Sequence, residues 1–485
     1  MNPEKIGVHA WILSNGSHWQ TGDWTKFLNT QAIELSADRL SRPLSNFVEV
    51  VDTKWRAWAW NFITPHPSLS LQWPFMFILL PWLLYRTLVN MGCFPLAALT
   101  GVCIYLASPG FLGPLVMLFH PAKNLANFFG ILGLYCFSLN YKKLPSLPQN
   151  GGRGVVIAGY SALFLGFLSD ETGLYVYLAA LLLFHRLWIR LWQEKHYGLL
   201  SGWLILPVLY LISIQIILPY LHWIVLGSHV HLNGYESYPS IKSLFWPDWS
   251  MLWLNSRFLF ADHPHWLINY KQLAEYPLLW TIQAVYVLTF LYLIFLFFKS
   301  LSRSDVQQKA FLKLLAIGIV LMAGYCFFQT FQLSRNAKAW GVWWYGSLFS
   351  LIYIFPLVFF LQFLFLRHQK LCSRAALIAL IFVANGLIFT TYRLGICKLQ
   401  NLNRSAYSYI DIFKGIQNPY GSFSFSESLE ISRCRWMYTH LYWRKWKGLP
   451  EDIDQAAVNK CYSGPFGGDY YFLISERNYL PAELR

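Results

Sequence analysis

The stretch YSALFLGFLSDETGLYVYLAALLLF, residues 160–184, sets two apolar runs on either side of one acidic pair, Asp170 and Glu171. A carboxylate at the centre of a membrane helix costs about 2.5–3.5 kcal/mol. The pair therefore marks a boundary between two spans, and either a partner or water has to meet its charge. The rest of the chain repeats the pattern of long apolar runs with charge held at their ends. Of 485 residues 56% are hydrophobic and only 13% charged, too few charges to cover a soluble globule of this size. The runs approach the roughly 20 residues that a helix needs to cross a hydrocarbon core. They predict ten spans, at about 73–89, 92–107, 124–141, 154–168, 174–191, 199–226, 277–298, 310–332, 343–366 and 375–393.

Lys and Arg fall in alternate loops, which orients the array because short cytoplasmic loops are enriched in them. Arg86, then Lys142, Lys143 and Arg153, then Arg186, Arg190 and Lys195, then Lys299, Arg303, Lys309 and Lys313, and finally Arg367, Lys370 and Arg374 define the inside loops. The short intervening loops hold only Lys123, Arg335 and Lys338, and Asp170 and Glu171 fall among them on the outside. The net charge of +15 is thus explained by topology and attraction to anionic membrane lipids, with no nucleic-acid partner. The expected fold class is an all-α polytopic membrane protein of about ten transmembrane helices. Residues 1–72 form an outer N-terminal segment with interfacial helices, 73–394 the transmembrane domain with a long outer loop at 227–276, and 395–485 an outer C-terminal domain. Strand-like FSFSESLEIS and DYYFLIS flank a helical CRWMYTHLYWRKWK in that last part, which predicts a small mixed α/β domain. No signal peptide or span precedes residue 72, so either the first segment is translocated without one or a further helix lies upstream, making eleven; the second reading is preferred.

Among the eight cysteines, Cys93, Cys103, Cys136, Cys326 and Cys372 lie in or beside spans as small packing residues. Cys434 and Cys461, in the outer tail, suit a disulfide. No CxxC pair or nucleotide-binding glycine motif occurs, so an enzyme of this architecture would draw its substrates from lipid or from the outside. The His pairs of HVH, residues 229–231, and HPH, residues 263–265, have no third ligand fixed by pattern and read as loop histidines. The 23 Trp and 29 Tyr mark interface belts, with the WGVWWYG cluster at 340–346 also suited to stacking on sugar faces.

Four segments carry a family resemblance. They are TGDWTKFLN at 21–29, SRPLSNF at 41–47, LFHPAKNLANFFGIL at 118–132 and FLSDETGL at 167–174. In order and in side of the membrane they resemble elements of the GT-C superfamily of polytopic glycosyltransferases, the last two being similar to segments of O-mannosyltransferases. Gly22 stands where many members have a second acid, and Asp170 where the mannosyltransferase segment has Lys. The resemblance implies a sugar donor linked to polyprenyl phosphate or pyrophosphate, a glycan, lipid or protein acceptor, and a site at the outer face of the inner (cytoplasmic) membrane, with both termini on that side.

It also implies roles. Asp23 would be the general base that takes the acceptor's proton, against a plain helix-capping role before Thr25. Arg335 would clamp the leaving phosphate, with Lys338, Arg39 and Arg42 as further cations, against simple anchoring of span ends at the interface. His120 would contact phosphate or sugar. Asp170 and Glu171 have three readings: organising the site by pairing with Lys or Arg, holding a cation such as Mg2+ or Mn2+, or capping the helix that starts at Thr172. Two other functions fit the same composition. An O-antigen polymerase or ligase would place its key Arg and His in 227–276, and a flippase of lipid-linked glycan would need ionisable residues in mid-span.

Overall fold

A computed structural model of the protein describes residues 70–108, 110–112, 121–141, 151–170, 172–217, 220, 277–302, 305–333 and 345–390, with a few residues between 44 and 55. The described part is 92% helical and has no strand. Helix lies on each of the ten apolar stretches. The expected C-terminal α/β domain, the loop at 227–276 and the Cys434–Cys461 pair lie outside the described residues.

Helix α1 runs through Gln72–Pro74, a π-helical turn at Phe75–Leu79, and Leu80–Asn90. Pro81 supplies no N–H to the ladder, and just before it the chain widens so that the Leu80 N–H reaches the Phe75 carbonyl five residues back. A tight turn follows. Gly92 takes φ +93°, and the Cys93 N–H donates to the Leu88 carbonyl at 3.1 Å, a glycine-terminated helix end. Pro95 then opens α2, Pro95–Leu106, as its first residue, where a missing N–H costs nothing.

The next elements are α3 (Pro121–Tyr141), α4 (Gly151–Ser169), α5 (Thr172–Leu183) and α6 (His185–Gln193). The predicted span 174–191 is not straight: α5 and α6 meet at Phe184 with a 64° bend. Phe184, Leu187, Trp188 and Leu191 are buried while Arg186, Ile189 and Trp192 are exposed, so α6 has two faces where α5 is apolar all round. Such a helix is better placed along a boundary than across a bilayer. Helix α7 comprises Tyr197–Leu200 and Gly202–Ile212, followed by a π turn at Ser213–Ile217. The set closes with α8 (Pro277–Leu301), α9 (Val306–Leu333), α10 (Tyr345–Arg367), the short α11 (Gln369–Ser373) and α12 (Ala375–Thr390).

Among the described residues, four helical segments are by length and composition able to cross a membrane: Gly152–Ser169, Trp280–Leu301, Val306–Phe327 and Ser347–Arg367. The bent α5–α6 pair would make a fifth. The burial pattern supports a membrane protein. Leu204 on α7 is 76% exposed and Leu288 and Phe298 on α8 are 67% and 66% exposed, a surface that water would not tolerate on this scale. At the centre, α3 packs on α1, α4, α5 and α10, and α10 packs on α2, α8 and α9 as well. Small residues permit the closest approaches, as expected where packing and not water exclusion holds helices together. A Cβ on Gly173 would lie 2.7 Å from the Gly166 carbonyl, and one on Gly101 would lie 2.2 Å from the Val358 side chain.

Candidate functional site

The α4–α5 turn, where the two apolar runs of residues 160–184 meet, is the centre of a buried polar network. Asp170 follows the last residue of α4 and is fully buried. Its Oδ1 accepts three hydrogen bonds: from Lys123 Nζ at 2.7 Å, from the Thr172 backbone N–H at 2.9 Å and from the Thr172 hydroxyl at 2.7 Å. The side chains of Lys123 and Asp170 are 4% and 0% exposed, so the ion pair is closed off within the helices. Asp170 thus pairs with a lysine and also satisfies the first N–H of α5. It does not face an aqueous cavity. The low-dielectric surroundings that make an isolated carboxylate costly are offset by an ammonium in direct contact.

Helix α3 brings the other polar groups. Lys123, Asn124 and Asn127 lie in its first two turns, and all three are buried. Residues four apart share a helix face, so Lys123 and Asn127 point the same way. Asn127 Nδ2 donates to Ser347 Oγ at 2.7 Å, tying α3 to the start of α10, and the Tyr105 hydroxyl of α2 adjoins Asn127. Asn124 Nδ2 donates to Gln72 Oε1 at 3.4 Å. From Gln72 the chain of contacts continues: the Gln72 N–H donates to Ser70 Oγ at 3.1 Å, and the Ser70 hydroxyl donates to Asp52 Oδ1 at 2.8 Å. Asp52 also accepts the Leu71 N–H at 2.7 Å and is itself buried. A line of hydrogen bonds thus runs from the segment before α1 to the first turn of α3, next to the residue that holds Asp170.

This arrangement fixes position. Lys123 and Asp170 meet each other's charge, Asp170 also receives the first turn of α5, and together they tie the start of α3 to the end of α4 and the start of α5. Among the described residues no group of three or more His, Cys, Asp or Glu side chains converges as a metal site would require. Of the residues that the sequence singles out, only Asp170 is described; Asp23, Arg39, Arg42, His120, Glu171, Arg335 and Lys338 lie outside the described residues.

Sequence reasoning passed over Lys123, Asp52, Asn124 and Asn127 as functional candidates. A signal for the first was present. Lys123 and Asp170 are opposite charges at the same-side ends of two consecutive antiparallel runs, and such charges near a bilayer seek partners. The Asn and Ser contacts carry no comparable periodic mark.

No protein-family model, curated protein or solved structure matches the chain.

Proposed function

We propose that the protein is an integral-membrane glycosyltransferase of GT-C type, moving a sugar from a polyprenyl-linked phosphate donor to a glycan, lipid or protein acceptor at the outer face of the cytoplasmic membrane. One observation supports this reading above the others. Two of the motif segments that carry the resemblance, 118–132 and 167–174, meet in the fold through the buried Lys123–Asp170 pair. A charge-paired contact thus brings together two motifs that lie 47 residues apart in the sequence.

In this reading ten spans carry the chain, with both termini and the mixed C-terminal domain on the outer side. Asp23 accepts the proton of the acceptor hydroxyl as its oxygen attacks the anomeric carbon. The bond from that carbon to the lipid phosphate breaks, and Arg335 stabilises the charge that gathers on the departing phosphate. In the same reading Lys338, Arg39, Arg42 and His120 would bind the donor and acceptor, and Glu171, which follows Asp170 in the sequence, would help to shape the site. Mg2+ or Mn2+ held by Asp170 and Glu171 is the alternative use of the pair, and it would place a second positive charge beside the Lys123 that already contacts Asp170 Oδ1.

The test compares surface glycans and glycoproteins by mass spectrometry from cells with the gene deleted, restored, or restored as Asp23→Asn at matched protein level. A sugar-sized mass that vanishes on deletion and returns with the wild type alone supports both the transferase and its base. Full restoration by Asp23→Asn removes Asp23 from that role. An unchanged glycan profile on deletion removes the transferase reading itself.

A further inference from the structure

The end of the bundle opposite the α4–α5 turn holds a second polar arrangement that transfer chemistry does not use. Helix α8 finishes in FLFFKSL, and α10 finishes at Arg367 with His368 in the turn to α11. The Ser300 hydroxyl donates to the Leu296 carbonyl at 2.7 Å, which commits its one proton. The contact of 3.0 Å between Ser300 Oγ and His368 Nε2 is then donated by the histidine. Burial, with the nearby Arg367 and Lys299 charges adding to it, holds the imidazole below its ordinary pKa of 6.5 and keeps it neutral in this role. This strut fastens the α10–α11 turn onto the last turn of α8.

The fastening sets Lys299 and Arg367 beside His368, and Lys370 and Arg374 follow in the next turns of the chain. Lys299 of α8, Arg367 of α10, Lys370 of α11 and Arg374 before α12 are all exposed at this end. Residues 295–304 and 361–390 contain no Asp or Glu, and none of the four cations forms an ion pair with a carboxylate among the described residues. The contrast with Arg190 is direct, since Glu194 meets it at 2.6 Å. On either side of the cations lie lipid-type surfaces: Phe295 and Phe298 on α8 are 61% and 66% exposed, and Leu377 and Leu380 on α12 are 54% and 64% exposed. Helices α8 and α12 pack against each other, so the apolar surfaces flank one corner.

We infer that this corner binds the headgroup of an anionic phospholipid, with the phosphate on Lys299, Arg367, Lys370 and Arg374 and the acyl chains along the exposed faces of α8 and α12. A free phosphate would find cations equally in any basic loop; the adjoining apolar faces select the lipid form. The site stands independently of the transferase reading, because it involves no residue of that mechanism.

The experiment uses the full chain in nanodiscs of phosphatidylcholine doped with phosphatidylglycerol, with native mass spectrometry counting the phosphatidylglycerol retained as lipid is stripped away. Wild type should keep bound phosphatidylglycerol, and the combined Lys299→Gln, Arg367→Gln, Lys370→Gln and Arg374→Gln variant should lose about tenfold of that retention. A control removing equal charge at Arg86, Arg153, Lys195 and Lys309 should keep it. Equal retention in the first variant, equal loss in the control, or displacement by millimolar inorganic phosphate as complete as by competing phosphatidylglycerol would each overturn the inference. Lys299→Glu alone reverses one charge without touching the packed faces, and it should lower retention more than the control does.

Discussion

At the scale of single residues the Lys123–Asp170 pair dominates. Breaking a buried ion pair by removing one partner leaves a charge with no solvent to meet it, a cost of about 3–5 kcal/mol. Asp170→Asn should therefore destabilise the protein by about that much, and Lys123→Met similarly. The double variant should recover much of the loss because no isolated charge remains. Thermal unfolding of the four proteins in one detergent measures this as a double-mutant cycle. Additive losses would mean that the two side chains do not depend on each other. The sequence displayed the anomaly of Asp170 but not its resolution. Hydropathy reports which residues are out of place, whereas the partner lies 47 positions away and is fixed only when α3 and α4 pack antiparallel. Asp52 is harder still to foresee, because Ser70 and Leu71, which meet it, lie 18 and 19 positions along the chain.

Among the elements, the crossing of α4 and α5 is the tightest point next to the candidate site. A methyl on Gly173 meets backbone atoms of Gly166 at 2.7 Å, and backbone cannot swing aside. Gly154, in the first turn of α4, has nothing within 4 Å of the same position. Gly173→Ala should cost about 1–3 kcal/mol through overpacking, seen as a lower unfolding temperature, while Gly154→Ala should be neutral or slightly stabilising through its better helix propensity. Equal behaviour of the two would show that the helices can part there without loss. The positions of the helices were readable from apolar runs with charged ends. The bend at Phe184 was not. The run from Thr172 to Gln193 carries no Pro or Gly at the break, and the change from an all-apolar α5 to a two-faced α6 shows only when periodicity is read in short windows.

For the whole molecule, the topology is open to direct measurement. With the alternation of Lys- and Arg-rich loops, a cysteine introduced at Glu171 should react with a membrane-impermeant maleimide added to intact cells, and one at Ser302 should react only after the membrane is opened. Reaction of both in intact cells would dismiss the ten-span arrangement. Which helices face lipid and which face protein was beyond the sequence, and the reason is physical. The spans Ser347–Arg367 and Trp280–Leu301 have mean hydropathies of 2.3 and 2.1, yet 94% of the first and 17% of the second are buried inside the bundle. Lipid tails and packed apolar side chains are equally dry neighbours, so hydropathy scores them alike.

The enclosure of α10 bears on how the protein is made. It is the axis around which α2, α3, α8 and α9 are arranged, but it is synthesised after all of them. Helices enter a bilayer singly and associate afterwards, so the growing protein must wait with its central slot held by lipid or by loosely closed neighbours. When α10 emerges, its apolar surface lets it cross among lipids, and Ser347 and Gln362 then find Asn127 and the Phe94 N–H only after it slides between helices already in place. A ribosome stalled before residue 345 would leave Asn127 and the Phe94 N–H without the groups of α10 that meet them in the finished bundle, the kind of half-built assembly that membrane quality-control proteases are suited to remove.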